Sequence, residues 1–418
     1  MAGLTAAVTL ARAGARVAVH SDRPGRVGSI APSSEVPDWR IERGASSVTY
    51  RADAVFRLAA QVGLGRPGEP GSAWLQMGPS AKDRYVADGE RLRSVGPGLI
   101  GFRHAADFAR GLVRHRAPSD TESIITWAKL QFGPWIATSP ARAFTVGVWG
   151  CAPDKVGFAD AWPELWQGLQ TGSPMAVQRR MAGDGHTLTG TWFLAEGMGM
   201  LPAASRRALL DAGGRWVEEA VTSLDALDVD VVVVATDASD AADLVRPGNP
   251  VAAGLLDAVE HSPIAVVHWL AEPQDRPLGF GMLVPAPDPV LGTVFLSDVR
   301  DQFSAPWAPD GLRAYQTMVG GHAHPEYVDR SDAELITDVL ARHARWFGSA
   351  PVVRAAHVVR WKRAVSIPTI GHRARIRQLQ AGEGRVVYAG SYMAGGTLDD
   401  AVVSGFDAST RVLARMPA

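Results

Sequence analysis

Residues 1–22 constrain this chain more than any other stretch. From Gly3 to about Ala13 the residues are small and spaced as a helix, Gly14 breaks it, and Arg16-Val17-Ala18-Val19-His20 is a short apolar strand. That order is the second half of a nucleotide-binding βαβ unit. In such a unit a strand enters a glycine-rich turn, free N–H groups at a helix start face a pyrophosphate, and the next strand ends in a carboxylate for the ribose. Gly3 stands where the third glycine of the turn lets the helix lie close to the sheet, and Leu4-Thr5-Ala6-Ala7 keeps that face small. The first strand and first two glycines are missing. Asp22, at the end of the second strand, is the ribose candidate. Any helix and strand of an α/β protein would fit these residues as well, so the rest of the chain decides.

A length of 418 residues, 46% hydrophobic and 20% charged, is enough for a substantial core and two domains. A net charge of −1, with no lysine-rich tail and no aromatic-basic interleaving, leaves no footprint for nucleic acid. Cys151 is the only cysteine, which excludes disulfides within the chain and argues against a cysteine-held metal; no metal is expected. No leader-like segment and no apolar run of bilayer length is present, so the expectation is a reduced, soluble, cytoplasmic protein.

Asp53 to Gly63 reads as a helix, and Arg84 to Val95 as a hairpin turning at Asp88-Gly89. Leu99 to Arg116 is a basic amphipathic helix. It could rest on a membrane surface as a peripheral contact, or pack on its own domain with its arginines in water. Glycines flank a large aromatic in Phe144-Thr145-Val146-Gly147-Val148-Trp149-Gly150, where the Trp suits a core or a cavity wall. Glu196-Gly197-Met198-Gly199-Met200 enters a helix through about Leu210, followed by a strand from Arg215 to Val221. Val229 to Thr236 reads as a strand buried on both faces of a parallel sheet. Short extended runs between Ile264 and Gly320 suggest an antiparallel sheet, followed by a helix from Asp332 to Trp346 and a strand from Val352 to Trp361.

The most specific motif comes last. Val386 to Gly390 is a buried strand, Ser391 to Gly396 a glycine-bearing turn, and Thr397 with Asp400 three residues on forms a capping box opening the final helix. The positive end of that helix suits a developing anion, and Gly395 and Gly396 let the backbone approach a flat ring.

These stretches together resemble the flavoprotein superfamily of protoporphyrinogen oxidases, amine oxidases and phytoene desaturases. The resemblance rests on Gly3-Leu4, the strand at 16–20, Arg26-Val27-Gly28, Gly44-Ala45, the Ala-Thr after the valine run, and the segment from Gly396 through Gly405. Trp361-Lys362-Arg363-Ala364 with Pro368 and Gly371-His372 resembles a porphyrinogen-oxidase signature. Ser29 stands where a second glycine is expected, and Ser391 where an aspartate usually holds the ribityl chain. Ser262-Pro263 replaces the lysine of amine oxidases, and the C-terminal segment lacks their aromatic pair; both favour the protoporphyrinogen-oxidase branch. The missing first strand implies a start placed too far downstream or a truncated chain.

The resemblance implies an α/β fold: a discontinuous Rossmann-like FAD-binding domain (1–50, 190–260 and 354–418) with an inserted α+β substrate domain (51–189 and 261–353). It implies non-covalent FAD held by Gly3, Leu4, Asp22, Arg26, Gly28, Gly44, Ala45, Val221, Gly390, Ser391, Gly396, Leu398 and Ala401. The activity implied is two-electron oxidation of a bulky apolar small molecule by hydride transfer to flavin N5, with oxygen or another acceptor taking the electrons. An amine oxidase or phytoene-desaturase-type enzyme is the alternative, and a non-catalytic binding protein the second. Trp361 and His372 are candidates for direct roles, His372 either as a proton carrier or as a structural hydrogen-bonder. Arg51 and Arg363 are candidates for substrate carboxylates, or solvated surface residues.

Overall fold

The computed structural model describes residues 1–416 apart from 23–26, 33–35, 37–38, 97–101, 139, 183–187, 286, 301–306 and 310. Arg26 therefore lies outside the described residues. The fold is α/β. Ala18–His20 runs parallel to Arg215–Val217, and Val232–Val234 parallel to Val386–Tyr388. The helix Ala2–Arg12 bridges the two pairs. Its Ala7, Val8 and Ala11 pack with Val17, Val19 and Leu209, while Ala2 and Leu10 pack with Val233, Val387 and the last helix, Leu398–Leu413.

Small residues make that crossing possible. A Cβ on Gly405 would lie 2.4 Å from the Ala2 carbonyl oxygen and 2.6 Å from Thr5 Cβ. Gly405→Val is therefore expected to cost roughly 1–3 kcal/mol by forcing two packed helices apart, read as a lowered denaturation midpoint.

Among the described residues no ladder joins the two parallel pairs. Val17 O and Ser21 N bond to the strand 215–217, so the alternation of a parallel ladder turns the main-chain groups of Ala18 and His20 the other way. Val232 N and Val234 O bond to the strand 386–388 and its flanks, which turns those of Val233 away likewise. Both open edges line one cavity. This corrects the sequence reading of residues 229–236. The strand is three residues long, and Val232 and Val233 are half-buried because one side meets the cavity.

The second part is a seven-stranded sheet in the order Val353–Ser366, His261–Ala271, Arg313–Gly320, Val290–Val294, Gly281–Leu283, Arg84–Asp88 and Arg91–Ser94. It is antiparallel except where Gly281–Leu283 pairs parallel with Arg84–Asp88. Asp88 pairs with Arg91, so the hairpin turns at Gly89-Glu90, one residue later than expected, with Gly89 at φ +61°. One face buries Ala265, Val267 and Trp269 beneath the helix Asp332–Phe347. From the other face Ile264 and Val266 reach the cavity.

Trp149 is a core residue, its ring 5.2 Å from that of Trp162. The helix Phe102–Val113 rests on the fold through the stacked pairs Phe108–Phe132 and His104–Trp135, with Arg103 and Arg110 exposed. Among the described residues no helix is long and apolar enough to cross a membrane.

Candidate functional site

A single cavity of about 3130 Å³ runs from the open edges of the parallel pairs to the apolar face of the seven-stranded sheet. That volume includes the slot between the two open strand edges, lined by Leu10, Val19, Val231 and Val233.

At one end the helix Ala2–Arg12 presents its N-terminus. No side chain caps it, and the first helical bond is Thr5 N to Met1 O, so the N–H groups of Ala2, Gly3 and Leu4 stay open at the cavity. Open N–H groups at the positive end of a helix form an anion site. Asp22 lines the cavity just past the strand Ala18–His20. Val221 also lines it, although the strand expected to carry it stops at Val217.

At the other end Gly390, Ser391, Gly396, Leu398 and Ala401 line the same space. The capping box forms as read: Thr397 accepts from Asp400 N, and Asp400 accepts from Thr397 N at 2.8 Å. Asp399 does something the sequence did not suggest. Its Oδ1 accepts from Val55 N at 2.9 Å, capping the helix Asp53–Gln61, and burial raises its carboxyl above the usual range. A Cβ on Gly396 would sit 2.9 Å from Val365 Cγ1 and 3.2 Å from Ser366 O. Gly396→Val, which would push this cavity-lining turn away from Val365 and Ser366, is expected to weaken flavin binding by about tenfold or more, measured by equilibrium fluorescence titration.

Gly28, Gly44 and Ala45 line the middle of the cavity with Trp361, whose Nε1 donates to Arg43 O at 2.6 Å. Arg43, a cation between these two groups of residues that sequence reasoning missed, lines it too. Ser29, which departs from the expected glycine, is accommodated by its surroundings. Its hydroxyl donates to Glu42 Oε2 at 2.9 Å, and a Cβ on Gly197 would fall 2.1 Å from that same hydroxyl.

Glu42 also accepts from Met198 N at 2.8 Å and lies 3.7 Å from Arg300, both side chains being 2% exposed. Burial raises the Glu42 carboxyl and pushes Arg300 down to about 10, each partly offset by the other's charge. The guanidinium of Arg300 stacks on Trp307 and Phe193. This cluster ties the segment behind Gly28 to the seven-stranded sheet side of the fold.

His372 is not brought to the cavity. It is 4% exposed, its Nε2 donates to Tyr392 O at 2.7 Å, and burial lowers its pKa. This corrects its candidacy as a proton carrier: the ring is a structural hydrogen-bonder. Arg363 is paired with Asp240 at 2.7 Å, whereas Arg51 lines the cavity. Ser262, where amine oxidases carry lysine, is buried and donates to the carbonyls of Trp149 and Gly150.

The expected group fits this donor set. The N-terminus of Ala2–Arg12, the N-terminus of Leu398–Leu413, and Gly3, Gly28 and Gly396 all line one space that also has an apolar wall.

A family model of flavin containing amine oxidoreductases matches residues 1–413. Among curated proteins, the protoporphyrinogen oxidases of Macaca fascicularis and Homo sapiens are each 25% identical over 390 residues, covering 81% of this chain and 80% of theirs. The chloroplastic protoporphyrinogen oxidase 1 of Spinacia oleracea is 23% identical, covering 93% and 77%. Among solved structures, a protein from Exiguobacterium sp. 255-15 assigned as a protoporphyrinogen oxidase superposes with a TM-score of 0.81 at 17% identity, over 99% of this chain and 97% of that one. Cyclohexylamine oxidase from Brevibacterium oxydans IH-35A gives 0.68 at 16% identity, over 98% and 96%.

Proposed function

The chain belongs to the flavin containing amine oxidoreductase family, a family of flavin-dependent oxidoreductases, and within it we propose that it oxidises a bulky apolar substrate of the porphyrinogen type, using non-covalently held FAD. The observation carrying this reading is the continuity of the cavity from the anion-binding helix end to an aliphatic wall of Ile264, Val266, Val294, Met318 and Val365. When bound, the flavin supplies two-electron oxidation by hydride uptake at N5, passing the electrons to oxygen or another acceptor.

In this reading the open N–H groups of Ala2, Gly3 and Leu4 hold the pyrophosphate, Asp22 the adenosine ribose, and Val221 packs on the adenine. Ser391 offers the ribityl chain one hydrogen bond. The N-terminus of Leu398–Leu413 stabilises negative charge on the pyrimidine edge. Trp361, fixed by Arg43, forms a flat side wall, and the aliphatic face of the seven-stranded sheet excludes water from the substrate. The protein thus contributes binding, orientation and dryness. We place the boundary of the substrate part after Ser366, because Val353–Ser366 belongs to the seven-stranded sheet.

An aliphatic wall with Ser262 in place of lysine favours a neutral apolar substrate over an amine. Anaerobic reduction of the flavin-loaded protein by a porphyrinogen, a primary amine and a polyene tests the choice. The porphyrinogen is expected to bleach the flavin fastest; faster bleaching by the amine or the polyene overturns the assignment.

A further inference from the structure

The slot between the two parallel pairs has an open strand edge on each side and apolar cover above and below. On one edge the main-chain groups of Ala18 and His20 turn into it, because Val17 O and Ser21 N are taken by the strand Arg215–Val217. On the other, Val232 N and Val234 O are taken by the strand Val386–Tyr388 and its flanks, which turns those of Val233 inward. Ala18 and His20 are exposed, and Val231 and Val233 half-buried. Unpaired N–H and C=O groups along a strand edge are a template for another strand. Above the slot lies the helix Ala2–Arg12, whose Leu10 lines it and which packs on Val17 and Val19 at one edge and on Val233 at the other. On the opposite face Val232 packs with Leu224 and Leu227, which line the same cavity. A helix about 10 Å across that touches both edges sets the width. Neighbouring strands lie about 4.8 Å apart, so a gap of roughly 10 Å holds one strand.

We propose that this slot is a strand-acceptor site, which takes one extended, uncharged, apolar peptide segment and joins the two pairs into a continuous parallel sheet. Its direction follows from the helix. The C-terminus of Ala2–Arg12 leads through Gly14 into Ala18–His20, and its N-terminus lies past the end of Val232–Val234, where a Cβ on Gly3 would be 3.0 Å from Ala235 Cβ. Both edges therefore run from the C-terminal towards the N-terminal end of the helix, and a guest parallel to them ends beside Met1. Alternate side chains of the guest meet the helix on one face and the Leu224 side on the other, so both sets must be apolar, the pattern of a strand buried on both faces. A charge in either set would be stranded without a partner. Main-chain pairing along both edges supplies the affinity, as in other cases of strand addition. The inference uses the edges alone and does not rest on the flavin reading.

The test adds a dye-labelled peptide of lysines, then valines, then glycines to the full chain and follows fluorescence anisotropy. Saturable binding is expected, with a thermal midpoint that rises with peptide concentration. N-methylation of alternate valines removes the donors facing one edge and is expected to weaken binding by about tenfold or more. Joining the same valine run ahead of Met1 through a glycine turn should fill the slot from within and abolish binding of the free peptide. A fusion carrying serines in place of the valines should leave it within about twofold. Absence of binding, equal binding of the N-methylated peptide, or binding that persists in the valine fusion each overturns the proposal. So does a chain that elutes as a dimer and is split by the peptide, since a second copy then holds the slot, and so does displacement of the peptide by FAD. A chain that binds the peptide but no FAD supports the acceptor site and refutes the flavin reading.

Discussion

Asp298→Ala is expected to destabilise the protein by roughly 3–5 kcal/mol, the cost of leaving a buried charge without its partner. Asp298 and Arg276 are each 3% exposed and paired at 2.7 and 3.0 Å. Asp298 also accepts from Gly279 N at 3.0 Å, and Arg276 Nε donates to Tyr315 Oη at 2.9 Å beneath the ring of Phe295. Removing the carboxylate strands both the guanidinium and the Gly279 amide inside the sheet. The loss should appear as a fall of about 3–6 °C in the thermal midpoint of a 418-residue chain. The double variant Arg276→Met with Asp298→Leu should recover most of it, because attraction within a buried pair largely offsets its own desolvation. A single variant that melts with the wild type would show that water reaches the pair.

Acidification is expected to produce the second large effect, through two buried histidines. His343 is fully buried. Its Nδ1 donates to Val339 O at 2.7 Å, so Nε2 of the neutral ring accepts from Thr293 at 2.8 Å. Thr293 in turn accepts from Thr317, and Thr317 from Trp269 Nε1, each at 3.1 Å. A second ring proton would break this chain at Thr293. Burial lowers the pKa of His343 from 6.5 to about 4 and that of His268 from 6.5 to about 3, the latter helped by repulsion from His357. Both folded values are depressed, so the unfolded chain takes up protons first. Stability is complete above pH 6.5 and falls with pH through the window down to about 4 for His343 and about 3 for His268. At about 1.4 kcal/mol per pKa unit, His343 alone accounts for about 3 kcal/mol. Urea denaturation across that pH range checks the slope, and His343→Gln, which hydrogen-bonds without titrating, should flatten it.

Sequence foresaw the local features best. The Thr397–Asp400 cap and the strand 386–388 depend on neighbours a few residues apart, and they stand where the chain pattern put them. The valine run at 229–236 looked like a longer strand because apolarity reports burial without saying whether a neighbouring strand or a cavity lies beside it. What escaped notice was assembled from distant segments. Glu42 meets Arg300, Ser29 meets Gly197, and Asp399 caps a helix more than 300 residues away. No local spacing encodes such meetings. The sequence leaves His372 as either a proton carrier or a structural hydrogen-bonder, and only the fold, through the buried bond to Tyr392 O, selects the second.

The visible spectrum of the purified protein after incubation with FAD and gel filtration tests flavin binding most directly. Flavin bands that co-elute with the protein and pass into the supernatant on acid precipitation are the result the cavity predicts. A colourless protein after filtration, at FAD concentrations that load other members of the family, would contradict it.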